Sequence, residues 1–166
     1  MKPATRRQLL IALLLSPRLL HAQRSAAEDL LPPLDDLRVL ASLVVRHKAP
    51  LLILFSTPGC PYCREVRRNY LAPRVAEQAD RVTPELLLRE TDITSERTLT
   101  DLSGGRITEA AFALRHHVRV VPVVTLLDSL MRPIGEPLVG LDRSGFYEAY
   151  LASAIAASRK YLRQTS

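Results

Sequence analysis

From Leu34 to His47 apolar residues recur at Leu37, Leu40, Ala41, Val44 and Val45, a three-and-four spacing that predicts an amphipathic helix with Asp35 as its N-cap. The run "PLLILFS", Pro50 to Ser56, has no alternation at all and predicts a strand buried on both faces. From Cys60 the helical period returns, with Tyr62, Val66 and Tyr70 on one side, Arg64, Arg67 and Arg68 displayed nearby, and Pro73 expected to break or kink the helix. "PELLLRETDI", Pro84 to Ile93, carries a strand core at Leu86 to Leu88, and Ser103 to Gly105 marks a turn before a helix from about Thr108 to His116. Val118 to Asp128 is strand-like although it contains Pro122; a turn follows around Asp128 to Met131, then a short strand from Ile134 to Val139. Arg143 to Arg163 closes the chain as a helix carrying Phe146, Tyr147, Tyr150, Leu151 and Ile155. The order helix, strand, helix, strand, helix, strand, strand, helix implies helical crossovers followed by a hairpin. The expected architecture is an α/β domain of three layers, a mixed central sheet covered by helices on both faces.

The first 22 residues fit none of this. Lys2, Arg6 and Arg7 precede an apolar run from Leu9 to Leu15, with Pro17 and a Leu20-His21-Ala22 cleavage site behind it, the layout of a secretory signal peptide. The apolar run falls short of the ~20 residues a spanning helix needs, so an uncleaved membrane anchor is the lesser alternative. Thr5 to Leu10 also loosely resembles a twin-arginine export signal. Expected boundaries are a signal peptide at 1–22, a flexible segment at 23–33 and one domain at 34–166, in an exported, periplasmic protein.

Export changes the reading of charge. Residues 1–22 hold four basic side chains (Lys2, Arg6, Arg7, Arg18) and no acid, so removing them lowers the formal charge from +6 to +2. The basicity belongs to the targeting segment, and no nucleic-acid partner is expected. The remaining length suits a single core, and with no evident dimerisation segment a monomer is expected.

The two cysteines of the chain stand three apart in Cys60-Pro61-Tyr62-Cys63, where the buried strand gives way to a helix. At a helix N-terminus the unpaired N–H groups and the dipole favour a thiolate, which places the Cys60 pKa below the ordinary ~8.5. Cys60 is then the attacking sulfur, and Cys63, one turn deeper, resolves the mixed disulfide. Pro61 suits the first helical position, and Tyr62 stands at the mouth of the site, either covering the sulfur or simply exposed. A purely structural bridge gains little from so short a loop. A metal site needs about four ligands, and His47, His116 and His117 show no ligand spacing with the pair. No cofactor is called for.

The strand, the Cys60-Pro61-Tyr62-Cys63 motif, the helix after it and the later Val121-Pro122 together resemble the thioredoxin superfamily, over nearly all of residues 34–166. The resemblance implies a thiol-disulfide oxidoreductase acting on protein thiols and disulfides, with a membrane electron donor or acceptor as a further partner. It also implies a cis Pro122 packed near the motif, Val121 offering its backbone to a substrate peptide, and Gly140 beside the groove. The export signal makes the chain more similar to periplasmic thioredoxin-like proteins, including those of sulfur oxidation and cytochrome c maturation, than to glutaredoxins. One departure stands out: the acid usual six positions before the first cysteine is replaced by Leu54, with Glu65 and Glu90 as substitutes by residue type only. A thioredoxin-fold binding or chaperone-like module with a passive disulfide or a metal is the alternative function. His116 and His117 are expected as exposed or capping cations at a helix end, the arginine cluster as a solvated face, and Gly104 and Gly105 as a plain turn.

Overall fold

A computed structural model describes residues 31–79, 81–142 and 144–165; the expected signal peptide, and the flexible segment up to residue 30, lie outside the described residues. Helix α1 (Leu37–His47) starts three residues later than its periodicity suggests. Its N-cap is Asp36, whose carboxylate accepts from the backbone N–H of Arg38 and Val39, and not Asp35, which instead pairs with Arg97. Leu37, Leu40 and Val44 form its buried stripe while Val45 faces solvent.

Strand β1 (Leu51–Ser56) is buried at all six positions, because both its faces are covered. Leu51, Ile53 and Phe55 join one core cluster with Leu37, Leu40, Val44 and Phe112; Leu52 and Leu54 join the other, with Val66, Leu71, Tyr147 and Leu151. Period-two alternation of one strand thus feeds two cores.

The chain then runs through α2 (Pro61–Val66), a π-helical stretch (Arg67–Leu71) and α3 (Ala72–Ala79). Pro73, expected to break or kink the helix, does not end it: it falls in the first turn of α3, directly after the π turn that interrupts the α-helical hydrogen bonding. Strand β2 (Leu87–Asp92) begins at the apolar core read from sequence but continues through charged residues. β3 (Thr98–Thr100) and β4 (Arg106–Thr108) form a separate antiparallel pair that the hydrophobic pattern did not disclose, three residues per strand being too short to show a period. Gly104 and Gly105 turn between them. Helix α4 (Glu109–Arg115) is N-capped by Thr108.

Strand β5 occupies only Val123–Leu127, since Pro122 lacks the N–H a ladder requires, and the Val121–Pro122 bond is cis. β6 shrinks to Leu138–Val139, and α5 is Tyr147–Gln164, four residues shorter at its start than expected. The main sheet has the order β2-β1-β5-β6, with β1 parallel to β2 and antiparallel to β5. Outside β2, the Glu90 N–H donates to Pro32 and the Leu34 N–H donates to Glu90, so residues Leu31 to Leu34 cover the sheet edge and belong to the fold. The mixed sheet between two helical layers is the expected architecture.

Candidate active site at the sheet end

Because β1 and β5 are antiparallel with Phe55 opposite Val123, the last residue of β1 and the residue before β5 lie at one end of the sheet. The cysteine motif, which follows β1, and Val121-Pro122, which precede β5, are placed at that end. Thr57, Pro58 and Gly59 turn the chain from β1 into the helix; Gly59 has φ +77°, a conformation that suits glycine. Cys60 is the N-cap of α2, its Sγ accepting from the Cys63 backbone N–H at 3.0 Å, and Pro61 follows at the first helical position. Cys60 and Cys63 are joined in a disulfide with their Cα atoms 5.3 Å apart. Cys60 is half-buried and Cys63 wholly buried. Tyr62 is exposed beside them, so Cys63 and Val66, rather than Tyr62 and Val66, form the buried face of this helix.

Across the sheet, the Pro122 carbonyl accepts from the Gly140 N–H at 2.8 Å. Gly140 sits at φ +76° just after β6, so the turn leaving β6 is pinned to the cis proline. Val121 is half-buried, and Val120 before it and Val139, the register partner of Val123, are exposed. Val121, Pro122, Pro61 and Tyr62 thus belong to the same end of the molecule as the disulfide.

Behind Cys60 a cavity of about 350 Å³ opens between the Thr57–Cys60 turn and the end of β2. Its walls are charged. Glu90, paired in register with Leu54, accepts from the Ser56 hydroxyl at 2.6 Å and from Arg67 through both Nε (2.8 Å) and Nη2. Arg67 is therefore turned inward, leaving the solvated face expected of the arginine cluster to Arg64 and Arg68. A second carboxylate, Glu109, which is buried, is held by Arg97 at 2.7 Å and by the Thr91 hydroxyl at 3.3 Å. Glu65 is exposed on the outside of the helix. Ser56, Arg67 and Glu109 were not legible as site residues. The available signal for Glu90 is that Leu86, Leu88 and Glu90 share one strand face, so an acid ends a buried row; for Arg67, that it stands one helical turn beyond Cys63.

His116 departs from its expected role. Its ring packs on Phe112 and Phe55, with centroids 4.5 and 5.9 Å away, and burial first, then the nearby His117 and Arg115, push its pKa below the ordinary value. A larger, more apolar cavity of about 730 Å³ lies away from the cysteines, between β6 and α5. Among the described residues no three His, Cys, Asp or Glu side chains group as a metal site, and no helix is long and apolar enough to cross a membrane.

No family model and no curated protein sequence matches the chain. Solved structures do. The chain is similar to mitochondrial thioredoxin 3 of Saccharomyces cerevisiae in its oxidised form, with 16% identity, a TM-score of 0.50, and 76% of this chain and 93% of that one covered. The fold is that of thioredoxin. Thioredoxin from Fasciola hepatica (17% identity, TM-score 0.48, covering 75% of this chain and 96% of that one) and a thioredoxin-fold protein from Helicobacter pylori (18%, 0.47, 71% and 86%) are further similar structures. In this thioredoxin fold the Cys60–Cys63 pair stands at the strand-to-helix junction, and Glu90 of β2 lines the cavity beside Cys60, while the β1 position in register with it is Leu54.

Proposed function

We propose that the chain is an exported thiol-disulfide oxidoreductase that reduces or exchanges disulfides of periplasmic proteins. The observation that carries this is the asymmetry of the pair: a half-buried Cys60 sulfur at a helix entrance, facing a backbone N–H, with a buried Cys63 directly behind it. In the dithiol form that N–H and the helix entrance favour the Cys60 thiolate. The thiolate attacks a client disulfide, forming a Cys60–client bond and releasing one client thiolate. Cys63, deprotonated, then attacks the Cys60 sulfur, forming the Cys60–Cys63 bond and releasing the second client thiolate. Two electrons pass from the cysteine pair to the client, and a dithiol donor, soluble or membrane-bound, restores the pair. Val121 and Pro122, with Pro61 and Tyr62 opposite, receive the client as a short extended segment, the Val121 backbone pairing with it.

The test is an insulin-disulfide reduction assay on the soluble chain. Cys60→Ser is expected to abolish turnover with the circular dichroism spectrum unchanged. Cys63→Ser is expected to trap a mixed disulfide detectable by mass. Full activity in Cys60→Ser overturns the mechanism.

A further inference from the structure

The edge of the main sheet opposite β2 is open. β6 pairs with β5 alone, and the Gly140 N–H bonds the Pro122 carbonyl while Val139 lies opposite Val123. The alternation of an antiparallel ladder then turns the N–H and C=O of Val139 outward. Leu31 to Leu34 cover the far edge, at β2; no described strand pairs with β6 on its outer side.

Along that open edge runs the cavity of about 730 Å³ between β6 and α5. On the helix side the small residues Ala154, Ala157 and Ser158 lie between Tyr150 and Tyr161. Those two tyrosines stand about 16 Å apart at the helical rise, the length of about five extended residues. Val139, Tyr150 and Phe146, which packs against Tyr150, are each more than half exposed, an apolar and aromatic surface of the kind that marks a contact site. The charge is one-sided: Glu136 and Asp142 stand in the wall, and among the described residues that line it there is no base. Glu136 is exposed and joins no ion pair among the described residues. Asp142 is fixed by the N–H groups of Ser144 and Phe146, at 2.8 and 3.0 Å, and the first of these bonds above all holds its carboxyl below the ordinary value. Two hydroxyls of the wall, those of Tyr147 and Ser158, are buried and find no hydrogen-bond partner among the described residues, so the chain does not complete this wall by itself.

We infer that this groove docks an extended polypeptide segment of a partner protein, one that adds to β6 as a further strand and carries apolar or aromatic side chains beside lysine or arginine. Val139 offers one N–H and one C=O, and Pro137, which has no N–H, limits the pairing to that residue. The backbone therefore sets register, and the side chains supply most of the affinity. Alternate residues of such a strand face α5 and fill the space over Ala154 and Ala157, between the rings of Tyr150 and Tyr161. Basic residues meet Glu136 and Asp142 and the faces of the tyrosines. An acidic segment is repelled, and a two-fold pairing of this edge with a second copy would set Glu136 and Asp142 against the same acids. Neither cysteine lines the groove, yet Val139 stands at its cysteine end, joined through Gly140 to Pro122, so a segment docked here leads its continuation toward the disulfide. Docking uses no sulfur chemistry and is separate from the exchange reading above.

The test is fluorescence polarisation with the full-length oxidised chain and a fluorescein-labelled, cysteine-free peptide, Gly-Lys-Val-Tyr-Val-Lys-Gly. Saturable binding is expected, weakening as salt rises, and the same peptide with glutamate for lysine should bind at least about tenfold more weakly. Glu136→Lys should weaken the lysine peptide roughly fivefold, the size of an exposed ion pair. Ala157→Trp, which fills the groove from an exposed position, should weaken it about tenfold or more. The chain with both Cys60→Ser and Cys63→Ser should bind as the wild type does. Absence of saturable binding overturns the proposal, as does equal binding of the two peptides or wild-type binding in both Glu136→Lys and Ala157→Trp. Binding lost together with the sulfurs places the peptide at the cysteines and also overturns it. A dimer in sedimentation that Ala157→Trp returns to a monomer makes a second copy the occupant, again overturning it. Insulin reduction by the same preparation tests the exchange reading alone, because the docking peptide carries no cysteine.

Discussion

His116 shows how one buried ring ties stability to pH. Packed at a tilt against Phe112 and Phe55 and half-buried, with His117 and Arg115 adding positive charge, it holds its proton less well in the folded chain than its ordinary 6.5. The unfolded chain therefore binds the proton more readily, and the sign follows: this contribution to stability is full above about pH 6.5 and is lost as pH falls through the lower folded value. A nuclear magnetic resonance titration should place the His116 midpoint below 6.5, and the drop in melting temperature between about pH 7.5 and pH 5.5 should shrink in His116→Gln. A midpoint at or above 6.5 would contradict the burial argument. The sequence suggested the opposite, a protonated cap at a helix end, because the helix dipole is legible in a sequence whereas the two phenylalanine rings arrive from β1 and from the preceding turn.

At the scale of elements, β1 carries both the core and the site. Phe55 projects into one core against Phe112, ring centroids 5.9 Å apart, while the next residue, Ser56, faces the cavity and bonds Glu90. Phe55→Ala should cost about 3 to 5 kcal/mol, read by urea unfolding, and Thr108→Ala, which removes the α4 cap, about 1 kcal/mol. Long, strongly patterned segments were readable from the chain: α1, β1 and the cysteine helix follow from period and from an unbroken apolar run. The short elements were not. β3 and β4 are three residues each and are defined by pairing with one another and by contacts of Asp35 and Asp36 with the hairpin, which local pattern does not encode. The same limit governs the site. The cysteine motif is contiguous and was legible, whereas Glu90 and Ser56 meet only through the parallel register of β1 and β2, a relation between residues 34 apart.

At the scale of the whole molecule, the proposed export bears on which residues the mature chain must keep. Leu31 and Leu34 are buried, and Pro32 and Leu34 exchange backbone hydrogen bonds with Glu90, so residues 31–34 belong to the fold. The proposed cleavage after Ala22 would leave eight residues, 23–30, ahead of Leu31. Two measurements follow. Expressed with its leader in a Gram-negative host, the chain should be recovered from the periplasmic fraction with the mass of residues 23–166, and recovery from the cytoplasm at full mass would refute export. A chain begun at residue 23 should melt where the exported protein does, whereas Leu34→Ala should lose about 2 to 5 kcal/mol. Since Leu34 is held against the Glu90 backbone, that variant should also slow disulfide turnover more than an equally destabilising change at Leu162, far from the sheet end that carries the cysteines. Equal turnover in the two would mean that the edge segment stabilises the fold without ordering the site.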